Sequence, residues 1–301
     1  MFTEFLNLLE GNNSFFISLV TIFGLFVGSF LNVVIYRLPL RLQHEWRSEC
    51  KEFLGNDISS SDKPESKETP PENIFTSRSH CPHCGHKISA LENIPVISYL
   101  VLRGKCSECS THISPRYPVV EILTAVLSGM AAWSFGFTVA LPFVLILVWS
   151  LIALSFIDFD HKLLPDKLVY PILWLGLLVN SQNILTDVYS ALYGAVAGYL
   201  ILWIVYQAFK LLTGKEGMGY GDFKLLALIG AWLGWQMLPL VVLLSSLVGA
   251  VVGILGILIL GRDKQLPIPF GPYLSVAALI ALFWGQSIID SYLQFAGIHP
   301  V

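Results

Sequence analysis

Two aspartates at the ends of apolar stretches are the residues best suited to chemistry in this chain. Asp158 follows the apolar run Leu151–Ile157, and Asp222 closes the glycine-rich Gly219-Tyr-Gly-Asp222 before another apolar run. Ionisable groups at membrane depth are costly, so they tend to line a site or a pathway with a partner nearby. Two carboxyls that share one proton can activate water against a peptide bond. The pair therefore predicts a site for peptide hydrolysis.

Each aspartate also has a structural interpretation. Asp222 precedes an apolar helix and has the position of an N-cap, a role that suits Asp166 in Leu-Pro-Asp-Lys better still. Asp158 lies at the C-terminal end of its apolar stretch, where the helix dipole disfavours a negative charge. Because no structural role calls for a carboxylate at that position, the functional interpretation is the stronger one for Asp158.

The elements that position these side chains are apolar and long. The chain has 301 residues, of which 54% are hydrophobic and only 13% charged, too apolar for a soluble domain of this length. A helix needs about 20 apolar residues to span a bilayer. Eight stretches approach this, near 14–36, 118–137, 139–157, 167–184, 189–212, 223–237, 238–260 and 271–290. The fourth and sixth stretches, 167–184 and 223–237, are the weakest candidates for a span. The sequence therefore predicts an all-α polytopic membrane protein with about eight transmembrane helices.

The positive charges predict how the chain is oriented. With eight spans, all 18 Lys and Arg fall in alternate loops on one side, which the positive-inside rule makes cytoplasmic. Both termini are then expected in the periplasm. The N-terminus lacks the charged start and cleavage site of a secretory signal, so we expect the first span to be retained. The net charge of −3 gives no basic excess that would suggest nucleic acid.

The organisation along the chain follows from these spans. Residues 1–36 form a periplasmic N-terminus with the first helix, 37–117 a cytoplasmic segment, and 118–301 a helical bundle that carries both aspartates. Within the segment, residues 55–72 are rich in Ser, Pro, Lys and Glu. Such composition buries too little surface to offset its ordering entropy, so this insert is predicted to be disordered. Ordered structure is expected to resume near Phe75.

Four cysteines in the cytoplasmic segment predict a metal site. They form two C-x2-C pairs separated by 21 residues, namely Cys81, Cys84, Cys106 and Cys109. Four thiolates on two tight turns match tetrahedral zinc, and a full set of four leaves no open position for substrate. The zinc is therefore expected to be structural. Disulfides are the alternative, which a cytoplasmic location disfavours. Cys50 is left over as a free thiol, and the nearby histidines are expected around the metal or at the surface.

The motifs together resemble the type IV prepilin peptidases, which are G-x-G-D aspartyl proteases. The resemblance covers the first span from Gly28 to Pro39, both cysteine pairs, Ile113-Ser-Pro-Arg-Tyr-Pro-Val-Val-Glu121, Asp158-Phe-Asp-His-Lys-Leu-Leu-Pro-Asp166 and Gly219-Tyr-Gly-Asp222. These independent motifs stand in the order typical of that family. The two catalytic aspartates of the family correspond to Asp158 and Asp222.

The resemblance implies a bifunctional enzyme of the bacterial inner membrane. Its substrates would be type IV prepilins and type II secretion pseudopilins, which have a short basic leader followed by a hydrophobic helix. They would be cut at the cytoplasmic face, after the Gly that precedes this helix. The new N-terminal residue, usually Phe, would then be methylated with S-adenosylmethionine. No cofactor fingerprint locates a methyl-donor pocket; Asn93, Arg116 and Glu121 are polar candidates that would equally serve as helix-end or interfacial groups.

Two other classes of function fit parts of the sequence. Asp158, Asp160 and Asp166, with His161 and Asp222, suit a Mg²⁺ site for phosphotransfer in the membrane. An ion-coupled transporter would use membrane aspartates as a proton relay, but these lie at span ends and the spans show no clear inverted repeat. The sequence therefore ranks the protease first, the phosphotransferase second and the transporter last.

Overall fold

The computed structural model describes residues 10–54, 73–74, 78–215, 217–260 and 269–297. The predicted insert at 55–72 and the expected restart near Phe75 lie outside these residues. The described chain has no β-strand, and its helices are α1 Asn13–Leu54, α2 Ile97–Val101, α3 Arg116–Phe135, α4 Ala140–His161, α5 Asp166–Asn180, α6 Val188–Thr213, α7 Tyr220–Leu233, α8 Leu238–Leu260 and α9 Gly271–Phe295. The predicted all-α class is confirmed.

Each of the eight apolar stretches forms a helix, and six helices are long and apolar enough to cross a membrane. The exceptions are α5 and α7, the two weakest stretches, with 15 and 14 residues. At 1.5 Å per residue they are about 22 Å long, shorter than the roughly 30 Å hydrocarbon core of a bilayer. The protein is a multi-pass membrane protein in which two apolar helices are short.

The short helix α7 is apolar because it is buried among protein. Phe223, Leu225, Leu226 and Leu228 are fully buried, and Trp232 closes the same core. An apolar helix of 10 to 14 residues is more often a core element than a membrane span, and α7 is such a case. It ends at Gly234, whose φ of 81° stops the helix.

Contacts divide the chain into two compact units. Residues 18–129 form one, here called the cysteine unit. Residues 1–17 and 130–301 form the other, here called the aspartate unit.

In the aspartate unit, glycines bring α6 and α7 into backbone contact. A Cβ at Gly194 would lie 2.2 Å from the Gly230 carbonyl oxygen, and a Cβ at Gly230 would lie 2.1 Å from that of Gly194. One turn on, a Cβ at Gly198 would lie 2.5 Å from the Leu226 carbonyl oxygen. Small residues permit such close approach between helices in a membrane, so Gly194, Gly198 and Gly230 have a packing role.

Polar side chains fix α5 against α7. Asn180, fully buried at the end of α5, donates from Nδ2 to the carbonyls of Ala231 (2.9 Å) and Trp232 (3.1 Å). Its Oδ1 accepts from the backbone N–H groups of Leu185 and Thr186, each at 3.1 Å. One residue therefore satisfies the last carbonyls of α7 and the loop that follows α5.

In the cysteine unit, α1 packs against α3 through another pair of glycines. A Cβ at Gly24 would lie 2.7 Å from Ser128 Oγ, and a Cβ at Gly28 would lie 2.7 Å from Glu121 Cα. On the next turn, Asn32 Nδ2 donates to the Tyr117 carbonyl at 3.1 Å. Asn32 thus joins two helices within this unit.

Candidate active site and cysteine cluster

Asp158 sits in the last turn of α4 with its carboxylate buried. The helix ends where Lys162 adopts a left-handed conformation, with φ at 52°, and its N–H donates to the Asp158 carbonyl at 2.8 Å. Asp158 is only 5% exposed, and its Oδ2 accepts a hydrogen bond from the Gly271 N–H at 2.9 Å. The end of α4 therefore presents a buried carboxylate to the start of α9.

Gly271 is the site residue that the sequence analysis missed. It opens α9, so its N–H is one of the amides that have no partner within the helix. A Cβ at this position would lie 2.7 Å from Asp158 Oδ2, which leaves no room for a side chain. The Phe270-Gly-Pro-Tyr273 sequence just before an apolar stretch is a turn and helix-start signal that points to this position.

Asp222 lies in the first turn of α7, also buried, at 7% exposure. Gly219 is the N-cap residue, and the Asp222 N–H donates to its carbonyl at 3.2 Å. The N-cap role considered for Asp222 is therefore wrong, because the residue stands three positions inside the helix. Its carboxylate is near the positive end of the α7 dipole, which favours negative charge there.

Leu164 links the two aspartate-bearing segments. A Cβ added at Gly221 would lie 2.9 Å from Leu164 Cβ. A Cβ added at Gly271 would lie 3.3 Å from Leu164 Cδ2. Leu164 is itself buried, so the neighbours of Asp222 and Asp158 meet on one side chain. Asp158 and Asp222 therefore lie in neighbouring segments, although 64 positions separate them. The structure thus brings the predicted pair together.

The remaining acidic residues of this region lie apart from the pair. Asp166 follows the N-cap residue Pro165 without capping the helix and instead pairs with Lys224 Nζ at 2.7 and 2.9 Å. Asp160 and His161 are exposed at the end of α4. Among the described residues, four cysteines are the one group of three or more His, Cys, Asp or Glu that could hold a metal. A metal cluster of Asp158, Asp160 and Asp166 is therefore not favoured.

In the cysteine unit, the four predicted ligands converge. The ligand atoms of Cys81, Cys84, Cys106 and Cys109 all lie within 4.8 Å of one another. The Cys81–Cys109 and Cys84–Cys106 sulfur pairs are 3.8 and 3.9 Å apart. Sulfurs at zinc–sulfur distances of about 2.3 Å in a tetrahedron stand about 3.8 Å apart, so the set fits zinc.

Two equivalent turns hold these sulfurs. Cys81 accepts through its carbonyl from the Gly85 N–H, and Cys106 accepts in the same way from the Ser110 N–H. Gly85 and Ser110 both have positive φ, at 74° and 56°, and each turn is closed by an isolated β-bridge. The four cysteines are free thiols, so the disulfide alternative has no support, and Cys50 is an exposed free thiol as predicted.

Hydrogen bonds favour the thiolate at two of the four sulfurs, whereas burial and the neighbouring sulfurs raise the pKa of Cys84 to about 12. The side chain and backbone of Thr111 lower the pKa of Cys109 to about 6. Backbone hydrogen bonds from Cys84 and His83 lower the pKa of Cys81 from its ordinary value. Because the thiolate is the metal-binding form, both effects prepare the site for a cation. His86 lies beside the cluster and pairs with Glu92 at 3.3 Å, a position around the metal that agrees with the prediction.

The polar candidates near this segment have structural contacts. Glu121 is buried, and its Oε2 accepts a hydrogen bond from the Val96 N–H at 2.8 Å. Val96 has a left-handed backbone conformation, with φ at 61°. Tyr117, at the start of α3, accepts a hydrogen bond on its backbone carbonyl from Asn32 Nδ2 at 3.1 Å. Asn93 donates its backbone N–H to the Ser89 carbonyl at 3.1 Å. These contacts tie the segment to the start of α3.

Comparison with known proteins gives two family matches. Residues 22–135 match the bacterial peptidase A24 N-terminal domain, and residues 145–254 match the type IV leader peptidase family. The second match contains both aspartates, and the first contains all four cysteines of the cluster.

Curated relatives match over nearly the whole chain. A protein of Stutzerimonas stutzeri named prepilin leader peptidase/N-methyltransferase is 54% identical over 96% of this chain and 97% of its own. A protein of the same name from Pseudomonas aeruginosa is 54% identical over 94% of this chain and 95% of its own length. Another from Legionella pneumophila is 47% identical over 96% of this chain and 99% of its own length. No solved structure gives a significant match. On this identity and coverage, the chain belongs to the type IV leader peptidase family.

Proposed function

We propose that this protein removes the leader peptide of type IV prepilins and type II secretion pseudopilins, and then methylates the new N-terminus. Asp158 and Asp222 are the catalytic pair of the peptidase reaction. The observation that supports the proposal is that two buried carboxyls, remote in sequence, belong to segments that pack on the same side chain, Leu164, at helix ends. The names of the relatives supply the substrate class.

The peptidase mechanism follows from two adjacent carboxyls that hold one proton. The ionised carboxylate takes a proton from water, and the water oxygen attacks the scissile carbonyl. The protonated carboxyl donates a hydrogen bond to the carbonyl oxygen and then gives its proton to the departing amine. Water adds across the amide bond, and one proton remains on the pair at the end of the cycle.

The division of roles between the two carboxyls is a property of the pair. The dipole of α4 disfavours charge on Asp158 and that of α7 favours charge on Asp222, which would make Asp222 the base. The Gly271 N–H acts in the opposite sense, because it donates to Asp158 and lies at the positive end of α9. We therefore assign the shared proton to the pair and not to either residue.

The methylation reaction would use S-adenosylmethionine as methyl donor, as the name of the relatives implies. Zn²⁺ would be held by Cys81, Cys84, Cys106 and Cys109, and its role would be to fold the turns between 79 and 113. The inner-membrane location, the cytoplasmic cysteine segment and the periplasmic termini rest on the charge distribution. The division into 1–36, 37–117 and 118–301 rests on the same argument.

The proposal is tested by incubating the purified protein with a prepilin and methyl-labelled S-adenosylmethionine. Wild-type protein should shorten the prepilin and label the product. Asp158→Asn and Asp222→Asn should each abolish cleavage while the protein stays folded, since neither amide can exchange the required proton. Asp160→Asn is the matched control, because Asp160 is exposed two residues away and should be dispensable.

The same variants separate the protease from the phosphotransferase. A Mg²⁺ site built on Asp158, Asp160 and Asp166 would lose activity in Asp160→Asn and in a chelator of divalent ions. Cleavage by both dyad variants, or its loss in Asp160→Asn alone, would contradict the proposed site.

A further inference from the structure

An apolar cavity of about 340 Å³ lies between α6, α8 and the start of α9. Leu202 of α6 and Val242, Ser246 and Gly249 of α8 form its sides, and Met218 and Phe270 contribute to it from the loops. Its volume is that of a small ligand-binding pocket. Neither catalytic aspartate lines it, so it is distinct from the pair itself.

The cavity adjoins both segments that carry the catalytic carboxyls. Met218 belongs to the glycine-rich loop that leads into Asp222, four residues further on. Phe270 immediately precedes Gly271, whose N–H binds Asp158. Each of the two loops therefore places one apolar side chain in the cavity and one group at the catalytic pair. A peptide held at the aspartates would have this cavity beside it within a few residues, at about 3.3 Å per extended residue.

The outer face of α8 shows that the cavity lies next to membrane-facing surface. Leu243 and Leu247 of α8 are 70% and 63% exposed, as expected for side chains in contact with lipid. Ser246, between them in sequence, lines the cavity and is also exposed, so the cavity is reached from the same side. A substrate segment that enters it can come directly from the bilayer.

On the basis of the proposed function, we infer that this cavity binds the first apolar side chains of the hydrophobic helix that follows the cleavage point of the substrate. The helix of the substrate would lie along α8, beside Ser246. The polar leader would remain on the other side of the aspartates. The cavity would thus select substrates whose apolar segment begins directly after the scissile bond, and it would set the position of the cut.

A crosslinking experiment tests where the substrate helix lies. The full-length Asp222→Asn protein in nanodiscs is mixed with prepilins that carry benzoylphenylalanine at successive positions after the cleavage point, and crosslinks are mapped by mass spectrometry. We expect crosslinks from the first turn of the helix to Met218, Ser246 or Tyr273. Crosslinks to Leu243 and Leu247 instead, or to lipid alone, would overturn the inference.

Substitution within the cavity gives an independent measurement. Ser246→Trp fills the cavity and should lower kcat/KM for prepilin about tenfold or more, mainly through KM, the scale of a misfitted apolar side chain. Leu247→Trp, one residue further along α8 and facing lipid, should stay within about twofold of wild type. Equal effects of the two variants would contradict the inference. If wild-type protein does not cleave prepilin at all, the proposed function itself fails, and that outcome is seen before either variant is made.

Discussion

The aspartate pair and the cysteine cluster are positioned by different kinds of structure. The aspartates stand at the ends of α4 and α7, and buried contacts of distant helices bring them together. The cysteines stand on two short turns in which each pair is positioned by its own local hydrogen bonds. Between 79 and 112 only Cys81, Pro95 and Gly104 are buried, so this stretch has almost no apolar core. The first site therefore depends on the packing of the whole aspartate unit, whereas the second is expected to depend on a bound metal.

The largest expected effect is the loss of the metal from the cysteine cluster. Cys106→Ser, or treatment with a strong zinc chelator, should unfold the turns between 79 and 113, because metal binding supplies about 10–16 kcal/mol to sites of this type. Zinc content and limited proteolysis measure this: new cuts should appear in 79–113 while the core around α7 stays protected. Cys50→Ser is the control and should change neither. Protection of 79–113 without metal would show that the turns have another source of stability.

The next largest effect concerns the contact between α6 and α7. Gly230→Ala should destabilise the aspartate unit by about 3 kcal/mol, because the new Cβ would meet backbone atoms that cannot move away. The thermal unfolding midpoint in detergent should fall, and prepilin cleavage should fall with it, since α7 carries Asp222.

Gly249→Ala serves as the control for that substitution. Its nearest neighbour is a ring carbon of Tyr273 at 3.3 Å, a side-chain atom that can shift by a few tenths of an ångström. Its midpoint should stay close to that of wild type. Equal destabilisation by both variants would remove the special role of the Gly194–Gly230 contact.

A smaller effect is expected from Asn180. Asn180→Leu leaves two buried carbonyls and two N–H groups without their partner, and should cost about 2 kcal/mol once most of these groups find water. Gln182→Leu, at an exposed position two residues later, should be nearly neutral. Thermal unfolding distinguishes the two. If Asn180→Leu is also neutral, the end of α5 does not hold α7.

The cysteine site was predictable from sequence because its determinants are local. Two C-x2-C pairs encode two turns, and each turn positions its own two sulfurs. The membrane class and the helices were predictable from composition and from the length of the apolar runs. The two short helices were recognisable by Pro171 in α5 and Pro239 just after α7, but hydropathy does not distinguish burial in lipid from burial in protein. The complete burial of Phe223 and Trp232 is therefore visible only in the structure.

The aspartate site was only partly predictable. The two carboxyls were identified by their types and positions, yet the packing around them involves Leu164 and Gly271, which are remote from Asp222 in sequence. The role of Gly271 comes from a helix that begins 113 residues after Asp158. No local pattern encodes such a contact, because it arises from the packing of α9 against α4.

The smallest predicted effect concerns the pH at which the cysteine cluster releases its metal. Thr111 favours the thiolate of Cys109, so Thr111→Val should raise the pKa of that thiol above its value of about 6. Protons then compete with the metal at a higher pH, and the midpoint of zinc release on acidification should move upward by about half a pH unit. A zinc-sensitive dye measures the release, and Thr111→Ser, which keeps the hydroxyl, should release at the wild-type pH. A downward shift in Thr111→Val would mean that this hydroxyl opposes metal binding. The turn that carries Cys109 and Thr111 would then not favour the thiolate form that binds the metal.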